Sequence, residues 1–260
     1  MTRAPSQVGL NGTRLARFLS DLAVADAGFA HQNFSEHLGR LIDFGGSIRL
    51  SEFHDALHKV PYEPNPASGE GLKEEILRVR TSLVQAVAES FVPDAGVARL
   101  KLPTLKVGVL VDQLATFEPY HRFYAAHQRE FESKIQSLQL RVRDGVSGVS
   151  AEMAQLAALD ETVRDILAVH TRKYLALIPQ LLRKRFDGLL QEHLSLQGKP
   201  GDEADGERPE ADILRTWTQP TGWLGRFFKE MQGLLLAELE LRLLPVLGLV
   251  EAVDEEVKRR

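Results

Sequence analysis

The apolar and polar positions of this chain follow the pattern of amphipathic helices over most of its length. In segment 117–146, apolar residues recur at steps of three and four, as on one stripe of a helix with about 3.6 residues per turn. The stripe consists of Phe117, Tyr120, Tyr124, His127, Phe131, Ile135, Leu138 and Val142. Glu118 and Pro119 suit a first helical turn, since a carboxylate favours the positive end of the dipole and proline needs no N–H partner there. We therefore predict a long central helix with one buried face.

Helical periodicity also precedes this segment. We predict helices over 13–26, 32–44 and about 47–59, with Gly45 and Gly46 ending the second. The proline- and glycine-rich run 61–71 is predicted to be a linker, followed by a helix over 72–91. Residues 92–116 look partly β-like but have no second strand pattern to pair with, so we expect an ordered, mostly extended connection.

After the central helix, the chain is predicted to fold back on itself. Ser150 is placed to cap a helix reaching about Leu194, and Pro179 is expected to kink it. A seven-residue repeat in this helix predicts coiled-coil packing against the central helix in an antiparallel hairpin. The repeat consists of Leu156, Val163, His170 and Leu177.

The last part of the chain combines a polar loop with a final helix. Residues 197–211 are charged and rich in glycine and proline, which predicts a flexible acidic loop. The final helix is predicted to begin near Gly222 and to meet Pro245 before a last turn or short helix to Val257.

These elements predict an all-α fold, a multi-helix bundle built around a long antiparallel helical hairpin. The predicted organisation is a short-helix unit at 1–60, the linker at 61–71, the central helical hairpin within 72–196, the acidic loop at 197–211 and a C-terminal helix within 212–260 that packs on the hairpin.

Composition limits the chemistry and the cellular compartment that we expect for the protein. The 260 residues carry a formal net charge of -4 and include no cysteine, so disulfide and thiolate chemistry are excluded. We find no signal-peptide pattern and no run of about 18 apolar residues, so we expect a cytoplasmic protein. Because the acidic charge is concentrated in 196–210 and 251–260, the rest of the chain can still offer a basic surface.

The most catalytic-looking pattern is the histidine pair His54 and His58, four residues apart. One helix face could direct both toward a zinc ion, but Asp55 stands where a zinc protease has glutamate, and no third-ligand motif follows. We favour a solvated helix face there and predict no metal and no cofactor. Phosphate-loop, nucleophile-elbow and dinucleotide fingerprints are absent from the sequence.

A cluster of cations flanks Pro179 and forms the candidate nucleic-acid-binding surface. Guanidinium and ammonium groups attract phosphates through counterion release, so we predict contact mainly with the nucleic-acid backbone. The alternative is an ordinary solvated helix face. The predicted phosphate-contacting residues are Arg172, Lys173, Arg183, Lys184 and Arg185, with Arg141, Arg143 and Arg164 as possible neighbours in the hairpin.

The final helix carries more aromatic and methionine residues than one narrow stripe requires. Such residues are favoured at interfaces, so we predict a partner-contact surface there, with closure of the core as the alternative. The residues concerned are Trp223, Phe227, Phe228 and Met231.

Four segments resemble a known family. RLARFLSDLAVAD, FEPYHRFYAAHQREFES, LIPQLLRKRF and GWLGRFFKEMQGLLLAELELRLLPVLGLVEA together look like a proteobacterial family of unknown function that resembles the F subunit of type III Zorya anti-phage systems. The resemblance covers about residues 10–255. It implies a cognate second helical subunit, the G-type protein of the system, and a proton-driven membrane motor with MotA-like and MotB/OmpA-like subunits. It supplies no catalytic residue.

We therefore expect a non-enzymatic cytoplasmic subunit of an anti-phage complex that acts with its G-type partner downstream of the motor, with DNA as a candidate ligand and no small-molecule substrate. The alternatives are a metal-dependent nuclease effector and a motor-docking adaptor without nucleic-acid contact.

Overall fold

The computed structural model describes residues 44–65, 68–92, 98–103, 116–196 and 210–259, together with Leu15. Within these ranges the chain forms α-helices and one 3-10 turn, with no strand, which confirms the all-α prediction. The helices are α1 (Phe44–Ala56), α2 (Leu72–Ser90), α3 (Glu118–Ser147), α4 (Ala151–Leu196), α5 (Glu210–Thr218) and α6 (Trp223–Arg259), and the 3-10 turn spans Leu57–Lys59. No helix in the described ranges is both long enough and apolar enough to cross a membrane.

The central helix α3 agrees with its prediction in both extent and orientation. All eight predicted stripe residues are buried, from Phe117 at its start to Val142 near its end. Ser150 caps α4 as predicted, because its Oγ accepts a hydrogen bond from the backbone N–H of Met153 at 3.2 Å.

Helices α3 and α4 run antiparallel, as the hairpin prediction requires. Arg143 contacts Asp160 near the turn, with Nη2 and Oδ2 2.6 Å apart. Further from the turn, Arg172 Nε lies 4.0 Å from Glu132 Oε1. Moving back along α3 therefore means moving forward along α4, which defines an antiparallel pair.

Several predicted boundaries were wrong. Gly45 and Gly46 lie inside α1 instead of ending a helix, although each costs about 1 kcal/mol relative to alanine in a helix. Helix α6 continues past Pro245, because the proline faces outward while the buried stripe resumes at Val246. The short helix α5 was not predicted.

Other predictions fall wholly or partly outside the described residues. The helices predicted over 13–26 and 32–44 are described only at Leu15, which is buried, and at Phe44. Of the connection predicted over 92–116, residues 98–103 are described and contain no regular element, and the backbone N–H of Leu102 donates to Ser90 O at 2.9 Å. The loop predicted at 197–211 is described only from Glu210.

The chain divides into two compact units that share the long helices. The first unit contains the described residues up to Leu83 with 130–175 and 237–259, and the second contains 84–129 and 176–236. Helices α2, α3, α4 and α6 each contribute one part to either unit. Of the predicted basic cluster, Arg172 and Lys173 therefore belong to the first unit, and Arg183, Lys184 and Arg185 belong to the second.

Candidate functional site

In the first unit, Arg172 and Lys173 lie on the exposed side of α4. The Arg172 side chain is 75% exposed, and its nearest carboxylate, Glu132, is at the 4.0 Å limit of an ion pair. A surface pair this long and this exposed contributes little stability. The guanidinium is consequently accessible to a phosphate or to a carboxylate of another molecule.

In the second unit, the three neighbouring cations of α4 have different surroundings. Arg183 and Lys184 are exposed, and the Arg183 guanidinium carbon lies 5.7 Å from the ring centroid of Phe117. Arg185 points to α6, where Glu230 accepts two hydrogen bonds from its Nε and Nη2 at 2.7 and 2.6 Å. This bidentate pair raises the pKa of Arg185, and it commits the guanidinium to a carboxylate of its own chain.

The surroundings of Arg183 add two residues, Glu118 and Arg122, that were not predicted to belong to the basic surface. Glu118 accepts a hydrogen bond from Arg122 Nε at 3.0 Å, and that bond, assisted by the charges of His121 and Arg183, lowers the pKa of the Glu118 carboxyl. The side chain of Arg122 is 74% exposed. The i,i+4 spacing of Glu118 and Arg122 is visible in the sequence, but their proximity to Arg183 depends on the register of α3 and α4.

The three further arginines considered as neighbours are each paired with a carboxylate. Arg141 pairs with Glu75, Arg143 with Asp160, and Arg164 with Asp165 at 2.8 Å. Arg143 is buried, so it joins α3 to α4 within the first unit instead of facing solvent. The exposed candidates for phosphate contact are therefore Arg172 and Lys173 in the first unit and, separately, Arg122, Arg183 and Lys184 in the second.

The four predicted partner-contact residues lie mostly inside the second unit. Trp223, Phe227 and Met231 are buried, and only Phe228 among the four is partly exposed. The Phe227 ring meets Phe186 edge to face, with centroids 5.2 Å apart. In this chain, these residues fix α6 against α3 and α4 within the unit.

Two aromatic residues next to this cluster escaped the sequence analysis. His193 at the end of α4 and Trp217 in α5 meet edge to face at 5.5 Å, and Trp217 meets Trp223 at 5.6 Å. These contacts anchor α5, whose other buried residue, Leu214, lies one turn before Trp217. The three-residue spacing of Leu214 and Trp217 is the sequence pattern that could have predicted this helix. The helix has only nine residues and follows a polar segment, so the pattern was too short to recognise.

The histidine pair does not share one helix face. His54 belongs to α1 and His58 to the 3-10 turn that follows it, and both side chains are exposed. Within the described ranges, no group of three or more histidine, aspartate and glutamate side chains is arranged to hold a metal ion.

Comparison with known families identifies the chain. It matches the family described as "Protein of unknown function (DUF3348)" over residues 1–255. The chain belongs to the DUF3348 family. None of the curated proteins and none of the solved structures matches this DUF3348 protein.

Proposed function

We propose that this DUF3348 protein is an interaction subunit of an anti-phage defence complex. In this role it has no catalysis of its own and acts with a second helical subunit downstream of a proton-driven membrane motor. The observation that carries the proposal is the resemblance of four segments, spread over about residues 10–255, to the F subunit of type III Zorya systems. Membership of DUF3348 is compatible with this role but does not by itself point to it.

The second part of the proposal is that the complex contacts the phosphate backbone of DNA. Arg183 and Lys184 are adjacent and exposed, and Arg122 and Arg183 both act on the Glu118 carboxyl, which gives several cations on one unit. Such groups release counterions when they approach phosphates and read no base sequence. The near-neutral charge of the chain outside its two acidic segments does not oppose such an approach.

The third part concerns the partner surface. Because Trp223, Phe227 and Met231 are buried within the chain, they support contact with a partner by holding α6 in place. Phe228 is the member of the group that offers ring surface to another protein. We therefore expect Phe228→Ala to weaken partner binding while Phe227→Ala lowers stability.

Purification from cells that express the complete operon tests the proposal. A tagged copy of this chain is isolated with and without mild cross-linking, and the co-purifying proteins are identified and quantified by mass spectrometry. We expect the G-type subunit in fixed ratio to the chain. Recovery of the motor subunits without the G-type subunit would support the adaptor alternative, and recovery of the chain alone would contradict the complex.

A further inference from the structure

A carboxylate lies among the exposed cations at the start of α3, within the second unit. Glu118 Oε1 accepts a hydrogen bond from Arg122 Nε at 3.0 Å, and Glu118 Oε2 lies 3.7 Å from His121 Nδ1. These residues share one helix face, because steps of three and four bring side chains together. Each of the three side chains is at least 45% exposed, so another molecule can reach them from solvent.

Arg183 of α4 also belongs to this group. Its guanidinium carbon lies 5.7 Å from the ring centroid of Phe117, and its charge acts on the carboxyl of the next residue, Glu118. Asp187 lies one turn further along α4, but the interactions that the structure describes for Arg183 are those with Phe117 and Glu118. A guanidinium that rests on an aromatic face keeps the N–H donors at its edge available. Arg183 is therefore oriented by a ring while its donors can still bind an anion.

The charges of this group are not balanced. The hydrogen bond from Arg122 is the largest cause that lowers the pKa of the Glu118 carboxyl, so the side chain is ionised at neutral pH. Its single negative charge faces the two positive charges of Arg122 and Arg183, and His121 adds another positive charge when it is protonated. An exposed ion pair such as Glu118–Arg122 contributes little stability. A second anion can therefore replace the carboxylate on Arg122 with little loss of stability.

We propose that Glu118 is a built-in competitor for phosphate, and that a phosphate of the DNA backbone replaces its carboxylate on Arg122 when DNA binds. This inference rests on the DNA contact proposed above, and it adds the residue that limits this contact. A phosphodiester offers two non-bridging oxygens, which suit two guanidinium groups. Glu118 is fixed in the first turn of α3, where it bonds to Arg122 and acts on Arg183 through its charge.

The number of cations favours phosphates linked in a chain over a small anion. Lys184, next to Arg183 on α4, is a further exposed cation of the same unit. Binding of DNA is strengthened by each counterion that such groups release, whereas a small anion engages only the cations at one point. We therefore assign the group to the nucleic-acid backbone.

Neutralisation of the carboxylate tests the proposal, with binding of a labelled duplex measured by fluorescence anisotropy between about 50 and 200 mM salt. E118Q keeps the shape of the side chain and is expected to bind ~5-fold more tightly, because Arg122 becomes available for one further phosphate contact. The slope of log affinity against log salt should steepen by about 1. D212N removes the same charge from another exposed residue of the second unit, so it should change the affinity less than ~2-fold.

A second substitution separates competition from overall charge. In the R122Q background, the carboxylate has lost the cation for which it competes, so the ~5-fold gain from E118Q is expected to fall below ~2-fold. An equal gain in both backgrounds would show an effect of overall charge and overturn the proposal. Urea denaturation checks the folding of E118Q, because Glu118 also favours the positive end of the α3 dipole.

Failure of this inference can be told from failure of the proposed function. Equal DNA affinities of E118Q and the unsubstituted chain, with R183E/K184E still weakening binding, would overturn the competition and leave the DNA contact. If neither chain binds DNA, alone or with the G-type subunit, both the competition and the DNA contact are overturned, while co-purification still tests the complex. Micromolar binding of inorganic phosphate to E118Q, without a gain for DNA, would assign the group to a small anion and overturn the proposal.

Discussion

At the residue scale, the Arg185–Glu230 ion pair shows that Arg185 stabilises the fold, unlike the exposed cations of the same helix. Both side chains are about one-fifth exposed and share two hydrogen bonds. A charged hydrogen bond in such a setting contributes about 1–2 kcal/mol after allowance for solvent screening. We expect Arg185→Gln and Glu230→Gln each to lower the free energy of unfolding, with a coupling of about 1 kcal/mol in a double-mutant cycle followed by urea denaturation.

Arg172→Gln is the matched control for that cycle. Its side chain is 75% exposed, so the free energy of unfolding should change by less than about 0.5 kcal/mol. Equal losses for Arg172→Gln and Arg185→Gln would remove the distinction between the two arginines.

Burial of Tyr120 should make the free energy of unfolding depend on pH in the alkaline range. The phenol is 1% exposed, and burial raises its pKa above the usual value near 10. A folded pKa above the unfolded one means that the stabilising difference is complete below about pH 10 and is lost as pH rises further. Tyr120→Phe should therefore lose less stability than the unsubstituted chain between pH 10 and pH 11, as measured by urea denaturation.

Tyr174→Phe serves as the control at an exposed phenol. It should leave the alkaline loss as it is in the unsubstituted chain. Identical alkaline profiles for the unsubstituted chain and Tyr120→Phe would contradict the assignment to Tyr120.

The histidine pair gives a third prediction at this scale. Since His54 and His58 are exposed and lie in different helical elements, H54A/H58A should change the free energy of unfolding by less than about 0.5 kcal/mol and leave phage protection intact. The measurements are urea denaturation, zinc analysis of the purified protein and plaque counts. Stoichiometric zinc that disappears in the variant together with protection would favour the nuclease alternative.

At the element scale, the turn 68–71 shows how a predicted linker is attached. The N–H of Asn65 donates to Gly148 O at 3.2 Å, and a Cβ at Gly69 would lie 3.1 Å from Val149 and 3.2 Å from Val253. Gly69 and Gly71 both have positive φ, but a Cβ at Gly71 would meet open space. This segment is therefore packed on the α3–α4 turn, within the first unit.

These two glycines allow a matched comparison. Gly71→Ala carries only backbone strain of about 1 kcal/mol, whereas Gly69→Ala adds displacement of two valine methyl groups. We expect the larger loss of stability for Gly69→Ala, together with faster proteolysis within 61–71. Cleavage within 197–211, which the polar composition predicts to come first, is the internal reference in both variants. Equal stability of the two variants would contradict the packing argument.

The elements also show where sequence patterns are informative. The stripe of α3 was predictable because each of its members, from Phe117 to Val142, is buried at the regular spacing of one helix face. The repeat of α4 predicted the helix correctly but not its buried residues, since none of Leu156, Val163, His170 and Leu177 is buried. The continuation of α6 through Pro245 required tertiary packing to outweigh a local cost of about 3 kcal/mol.

The basic surface was predictable only in part for a related reason. The sequence showed that Arg183, Lys184 and Arg185 are cations, but consecutive helical residues point in directions about 100° apart. Arg183 is therefore exposed while Arg185 faces Glu230 on α6, a helix about 45 residues further along the chain. Such a partner can be assigned only after the helices are packed.

At the scale of the whole molecule, DNA contact should depend on cations whose side chains are exposed to solvent. The informative variant is R183E/K184E, which leaves the Arg185–Glu230 pair intact. Each phosphate contact with duplex DNA contributes about 0.9 to the slope of log affinity against log salt. We expect weaker binding to duplexes of any sequence and a slope reduced by about 1–2, measured by fluorescence anisotropy between 50 and 200 mM salt.

The comparison variant is R99E/K101E, which makes the same change in net charge at other exposed positions of the second unit. A loss specific to R183E/K184E would place the phosphate contact on α4, whereas equal losses in both variants would reduce it to overall charge. The measurement is made on the chain alone and with the G-type subunit, because a groove formed by two proteins can be silent in either one. A slope that R183E/K184E leaves unchanged in the assembled complex would exclude phosphate contact at these residues and leave the adaptor role.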